Sequence, residues 1–239
     1  RVRAAYYALV EIIDRHVGKI IQTVSETIGL ENTLIIYTSD HGDNIGEHGL
    51  FWKTNFYEGA ARVPLIFSWP EKLPKNTVIR GNSSLVDIAP TLIDIAGAIP
   101  LPEMDGESLV EYLKSGKDLP SDRAIISQLG DIKGDAPSAM IRKGKYKLIA
   151  HSGYEQVQLF DLENDPNEKN DLGLNAEYNS IITELKSELF QYWNPMEEAK
   201  KLSTAIAHFK ILKEWAKAVK PAPIEEWRGD NFRDNYLDT

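Results

Sequence analysis

The stretch Asn32-Thr33-Leu34-Ile35-Ile36-Tyr37-Thr38-Ser39-Asp40-His41-Gly42-Asp43-Asn44-Ile45-Gly46-Glu47-His48-Gly49-Leu50-Phe51-Trp52-Lys53 decides how this chain is read. Residues 32–37 are short, apolar and β-branched, which predicts a buried strand, parallel in an α/β sheet. Ligands of such sheets gather beyond the carboxyl ends of the strands, and Asp40 and His41 fall at that edge. A carboxylate oxygen is the hard donor that Ca²⁺ or Mg²⁺ prefers, and a neutral imidazole nitrogen can sit beside it or donate to a substrate. Gly42, Gly46 and Gly49 allow the loop to fold tightly. Asp-His-Gly by itself equally suits a strand-end turn in which Asp40 caps the next element and His41 only packs.

Further blocks along the chain carry a likeness that the tripeptide alone would not. They include Tyr6-Tyr7-Ala8, Ile13-Asp14 and Val17-Gly18, then Tyr37 to Asp43, Gly46-Glu47-His48-Gly49 and Lys53. Arg62-Val63-Pro64-Leu65-Ile66, Val86-Asp87-Ile88-Ala89-Pro90-Thr91-Leu92 and Gln158-Leu159-Phe160-Asp161-Leu162-Glu163-Asn164-Asp165-Pro166 continue the series. In these blocks and their order, over residues 1–175, the chain resembles the C-terminal half of the sulfatases of the alkaline-phosphatase superfamily.

The resemblance implies that Asp40 is a metal ligand and that His41 contacts the metal or the oxygens of the nucleophile. Lys53 would bind the sulfate and stabilise the leaving oxygen, and His48 would touch substrate or serve as a structural histidine. Read alone, Lys53 is a solvated surface lysine; its place twelve residues past His41 is what the family pattern requires. The implied cofactor is a divalent metal, Ca²⁺ with Mg²⁺ as the alternative. The implied nucleophile is a formylglycine made from Cys or Ser in a Cys/Ser-x-Pro-x-Arg motif.

This chain contains no cysteine. Ser68-Trp69-Pro70-Glu71-Lys72 imitates the motif, yet it ends in Lys and lies downstream of the Asp-His pair, whereas the family's motif lies upstream. The chain also opens directly into a helical pattern at Arg1-Val2-Arg3. The expectation is a C-terminal fragment, inactive alone, whose nucleophile and remaining metal carboxylates lie upstream.

A length of 239 residues with 42% hydrophobic composition is enough for a real core in one large or two small domains. A net charge of −9 argues against nucleic acid and acidic membrane surfaces as partners. It would not attract a sulfate ester, so local positive charge from Lys53 and a metal must do so. No apolar run reaches the roughly 18 residues of a membrane span. Absence of cysteine excludes disulfides and thiolate zinc sites without deciding the compartment; the resemblance favours the periplasm or secretion.

The fold expected is α/β: the C-terminal part of an alkaline-phosphatase-like mixed sheet flanked by helices over residues 1–120, carrying the metal loop. A small antiparallel-sheet subdomain with helices and a tail follows over residues 121–239. Leu9, Ile12, Ile13, Val17, Ile20, Ile21, Val24 and Ile28 have the spacing of a half-buried helix that packs on the sheet and stops near Gly29. Residues 63–69 read as a second core strand, and 87–97 as a helix with Asp87 near its N-cap. Glu58 and Arg62 have the spacing of a helix-surface ion pair.

Residues 123–128, 138–142, 146–150 and 156–161 are short strands separated by turns, with a hairpin at Lys143-Gly144-Lys145. Residues 161–168 lack the glycine and closing glutamate of a calcium loop and read as a turn. Helices are expected over 177–193 and 196–219. The aromatic-containing tail, 220–239, reads as an ordered strap or a partner-binding arm through which an oligomer would form. His16, His151 and His208 lack companions and read as structural.

Three alternatives follow from these readings. The first is hydrolysis of an alkyl, aryl or carbohydrate sulfate ester. The second is a phosphonate monoesterase or phosphodiesterase of the same superfamily. The third is an inactive interaction module that has kept the scaffold.

Overall fold

The computed structural model describes residues 1–130 and 136–220, so the tail beyond Lys220, with the partner-binding role expected of it, lies outside the described residues. Helix α1 (Val2–Thr27) ends at Ile28, and a 3-10 turn over Leu30–Asn32 delivers the chain into strand β1 (Ile35–Thr38). A loop, the short hairpin β2 (Asn44–Ile45) and β3 (Phe51–Trp52), and the single helical turn α2 (Glu58–Ala61) lead to β4 (Leu65–Ser68). Helices α3 (Ile88–Ile95) and α4 (Val110–Ser115) follow.

The parallel direction predicted for the first strand needs correction. β1 pairs with β4 antiparallel, Thr38 opposite Leu65 and Ile35 opposite Ser68. The chain leaves β1 and re-enters β4 at the same edge, because nothing longer than the four-residue α2 intervenes to carry it back as a parallel crossover would. The expected packing of α1 also fails. Leu9, Ile12, Ile13 and Ile20 are exposed, and no residue of the helix is fully buried. Among the described residues the two-stranded β1–β4 sheet offers no face that covers the stripe; what ties α1 down is Arg3, which donates to the Ile45 carbonyl and pairs with Glu47.

Strands β5 (Ala124–Leu129), β6 (Ser138–Lys143), β7 (Tyr146–His151) and β8 (Gln158–Asp161) form an antiparallel sheet in sequence order, as predicted. Gly144, at φ 55°, makes the tight β6–β7 turn that the expected hairpin requires. Helix α5 (Asn179–Tyr192) lies across one face, where Ala139, Ile141, Leu148, Leu159, Leu185, Leu189 and Trp193 form the main core. The alternation of β-strand side chains sends Met140, Ile149 and Phe160 to the opposite face, where they pack on Phe56 and Tyr57 of the loop after β3. One face of this sheet thus holds α5, and the other holds the segment that follows Lys53. Helix α6 (Pro195–Val219), capped by Asn194, extends outward with Phe209, Ile211, Leu212 and Trp215 exposed.

The first part of the chain is joined to this sheet through Asp87. It accepts from the Ser84 and Glu107 backbone N–H groups, completing a capping box at the turn that opens α3, and forms a bidentate pair with Arg123 beside β5. Asp87 thus stands at the N-cap position of α3 as expected, but its side chain caps the preceding 3-10 turn and not α3 itself. Among the described residues no helix is long and apolar enough to cross a membrane.

Candidate active site

The loop after β1 is locked by its own backbone. Ser39 Oγ donates to the His41 carbonyl at 2.8 Å, and the Asp40 carboxylate accepts the His41 N–H at 3.0 Å. Gly42 N–H donates to the Ala60 carbonyl at 2.8 Å, and a Cβ on Gly42 would stand 2.2 Å from the Gly59 carbonyl oxygen. Only glycine therefore allows the loop to lie against α2. Asn44, buried, donates to the Trp52 carbonyl and closes the β2–β3 hairpin.

His41 Nδ1 lies 2.9 Å from the Gly42 carbonyl. A carbonyl oxygen can only accept, so Nδ1 carries the hydrogen and Nε2 of the neutral ring presents its lone pair. Two groups meet that nitrogen: the Lys53 ammonium, which donates to it, and Asp40 Oδ2 at 3.2 Å. The Asp40 side chain is 82% exposed, so the cluster opens to solvent. Loss of hydration pushes the Asp40 carboxyl up, but the positive charge that His41 carries when protonated, the His41 backbone N–H and the Lys53 charge hold it below its ordinary value.

Lys53 is placed by strained backbone. Its neighbours Trp52 and Thr54 have φ values of 69° and 78°, in the left-handed region that non-glycine residues seldom occupy. His48 is held in the same region at φ 54° and stacks on Tyr57, with ring centroids 4.0 Å apart and planes 12° from parallel. Of the four residues singled out from the sequence, the structure brings Asp40, His41 and Lys53 into contact. His48 stands apart on Tyr57 and makes no described hydrogen bond to the other three.

The Nε2 lone pair beside the Asp40 oxygen is taken here by the Lys53 ammonium; an imidazole nitrogen with a carboxylate oxygen is a suitable donor pair for a divalent metal, which would take the place of Lys53 on that nitrogen. No third His, Cys, Asp or Glu joins them among the described residues. The pair thus fits as part of a metal site whose further donors would come from other groups.

The Glu58–Arg62 pair expected from sequence does not form. α2 ends at Ala61 and Arg62 is extended, so no helix face carries both. Glu58 instead binds Arg142 at 3.2 Å and the fully buried Lys147 at 2.9 Å. Sequence reasoning missed these partners, although a lysine within the apolar run Tyr146-Lys147-Leu148-Ile149-Ala150 is itself a signal that a buried charge needs acids nearby. Ser68 ends β4, and Trp69 beside it donates to the Glu31 carbonyl, so the segment resembling a nucleophile motif is occupied in structural bonds. The turn over 161–168 is confirmed: Asp161 accepts from Glu163 N–H and from Asn164.

Residues 46–194 match the family model described as N-sulphoglucosamine sulphohydrolase, C-terminal. The chain belongs to this family of sulfatases. A choline-sulfatase of Rhizobium meliloti (strain 1021) is 39% identical over 179 residues, covering 73% of this chain and 34% of that protein. A solved structure of a protein in complex with its substrate D-glucosamine-2-N,6-O-disulfate superposes with a TM-score of 0.70 at 30% identity, covering 82% of this chain and 40% of the other. The phosphonate monoester hydrolase of Agrobacterium radiobacter superposes equally well, TM-score 0.70, at 27% identity over 79% of this chain and 40% of the other. This sulfatase chain spans less than half the length of each of these proteins. Its fold is that of the C-terminal part of the alkaline-phosphatase-like sulfatases.

Proposed function

We propose that the protein containing this chain hydrolyses a sulfate monoester of a small molecule or carbohydrate, releasing sulfate and the alcohol. The observation that supports the reading is the convergence of the Lys53 ammonium, the His41 lone pair and the Asp40 carboxylate at one open point. Cleavage of the S–O bond builds negative charge on the leaving oxygen and on the transferring sulfuryl oxygens, so fixed positive charge is the main catalytic requirement.

Asp40 and His41 would hold the divalent metal, Ca²⁺ before Mg²⁺, which when bound supplies part of that charge. Lys53 binds a sulfate oxygen and, as a compact point charge, stabilises the leaving oxygen. His48, kept rigid on Tyr57, contacts the substrate. The reading places the formylglycine nucleophile upstream of Arg1 and the reaction in the periplasm or outside the cell. It assigns residues 1–120 to the catalytic domain and 121–239 to its small subdomain.

The test is turnover of aryl and sugar sulfates against phosphonate monoesters and phosphodiesters by the full-length protein, with Lys53→Ala beside it. Sulfate ester hydrolysis is expected, with kcat lowered about 10²- to 10³-fold in the variant. Turnover confined to phosphonate esters moves the reading to the second activity, which the Agrobacterium neighbour supports. No turnover, together with no divalent-metal binding, leaves the inactive scaffold.

A further inference from the structure

The face of the β5–β8 sheet turned away from α5 carries two cations side by side: Arg142 and Lys147 are directly paired across β6 and β7. Like charges in that position repel, and Lys147 has no exposure at all. Both cations are balanced by acids from distant parts of the chain. Glu58 takes Arg142 on one oxygen and Lys147 on the other, while Glu168, itself buried, contacts Lys147 and accepts the Glu58 backbone N–H at 2.6 Å. Lys147 also donates to the Phe56 carbonyl, at 2.7 Å. Its two hydrogen-bond acceptors, Glu58 and Phe56, both belong to the segment that follows Lys53, and Glu168 balances its charge.

Phe56 is the third residue after Lys53, a reach of roughly 10 Å at most. Between them Thr54 sits in the left-handed region, a conformation that persists only where the surroundings impose it. The next residue after Phe56 is Tyr57, which accepts a hydrogen bond from Gln158, packs edge-on against Phe160 and supports His48 by stacking. The sheet face thus grips the chain at both residues from which the proposed site side chains are hung.

We propose that the Arg142–Glu58–Lys147–Glu168 cluster, buried at Lys147 and Glu168, is a positioning device: it anchors the segment 54–58 on the sheet and so sets Lys53 and His48 in place for the reacting ester. The cluster touches no substrate and acts through the backbone at Phe56 and Glu58. Buried charge serves here because each of its members has a fixed direction, which an apolar contact lacks. The inference rests on the hydrolase reading for its chemistry, but not for its geometry.

The test uses the full-length protein with Lys147→Met and the milder Glu168→Gln, and Glu184→Gln as a control on the opposite face, where Glu184 pairs with Lys143. Kinetics are read per folded molecule, together with amide hydrogen exchange over residues 50–58. The expected result is a kcat lowered about 10²-fold with KM within about threefold, because misplacement by around 1 Å costs that much. Protection at Glu58 and its neighbours should fall while β6 and α5 keep theirs, and the control should match the wild type in both readouts. The inference is overturned if both cluster variants keep kcat within about twofold and exchange over 50–58 is unchanged, whatever happens to their unfolding midpoint. Should the wild type hydrolyse neither sulfate nor phosphonate esters, the hydrolase reading fails, and the exchange pattern alone decides whether the cluster anchors the segment. If Lys147→Met does not fold, Glu168→Gln carries both readouts.

Discussion

Replacing Asp87 by Asn removes one charge and almost no volume, yet the geometry predicts a large loss of stability. Its side chain is 1% exposed, and its two oxygens take Arg123 Nη1 and Nη2 at 2.9 and 2.7 Å, Ser84 N–H at 2.8 Å and Glu107 N–H at 3.0 Å. An amide can turn only one oxygen to these donors; its NH₂ then faces two further N–H groups. Breaking a buried ion pair by removing one partner costs about 3–5 kcal/mol. Arg123 keeps the Asn82 carbonyl and the exposed Glu107, and is itself 13% exposed, which places the expectation near the lower bound, about 3 kcal/mol.

Urea unfolding at pH 7, followed by fluorescence of the buried Trp193, measures this as a shift in midpoint at unchanged slope. The pH dependence is a second readout. Burial pushes the Asp87 carboxyl up, but Arg123 and the two backbone N–H groups outweigh it and hold its pKa below the ordinary value. A depressed folded pKa gives stability that is fully present above the unfolded value, near 4, and lost as pH falls through the folded one. The gap between wild type and Asp87→Asn should therefore be flat from about pH 8 to 5 and narrower by about 1 kcal/mol at pH 3. A gap under about 1 kcal/mol at pH 7, or one that stays constant down to pH 3, refutes the reasoning.

Two shorter predictions concern the core and the loop. Leu189→Ala, at a fully buried position of α5 facing the sheet, should lower stability by about 3 kcal/mol in the same unfolding assay. Gly42→Ala forces a methyl against the Gly59 carbonyl and should push the Asp40–His41 loop off α2; kcat of the full-length protein should drop tenfold or more, and an unchanged kcat would show that the loop tolerates the shift.

Much of the molecule is legible in the sequence because it is local. Short apolar runs separated by turns, with Gly144 between residues 138–143 and 146–151, specify a meander whose neighbours in sequence are neighbours in space. The grouping of Asp40, His41 and Lys53 came from the family pattern; the short β2–β3 hairpin that brings Lys53 back to the loop was not readable. Periodicity marks a face of a helix or strand as apolar without saying what covers it, which is why α1 was expected against the sheet and is found with its stripe exposed. Strand direction was misread for a related reason: β1 carries the composition of a buried strand, but the route of residues 39–64 decides which edge the chain returns to.

By itself, then, the sequence determined the long helices and the antiparallel meander, since each depends on interactions within a few residues. Only the tertiary structure decided where Glu58 finds its countercharges, 84 and 89 residues away on adjacent strands. A charge buried in a sheet is stable only where the fold delivers opposite charge to the same face, and no spacing in the sequence announces that meeting.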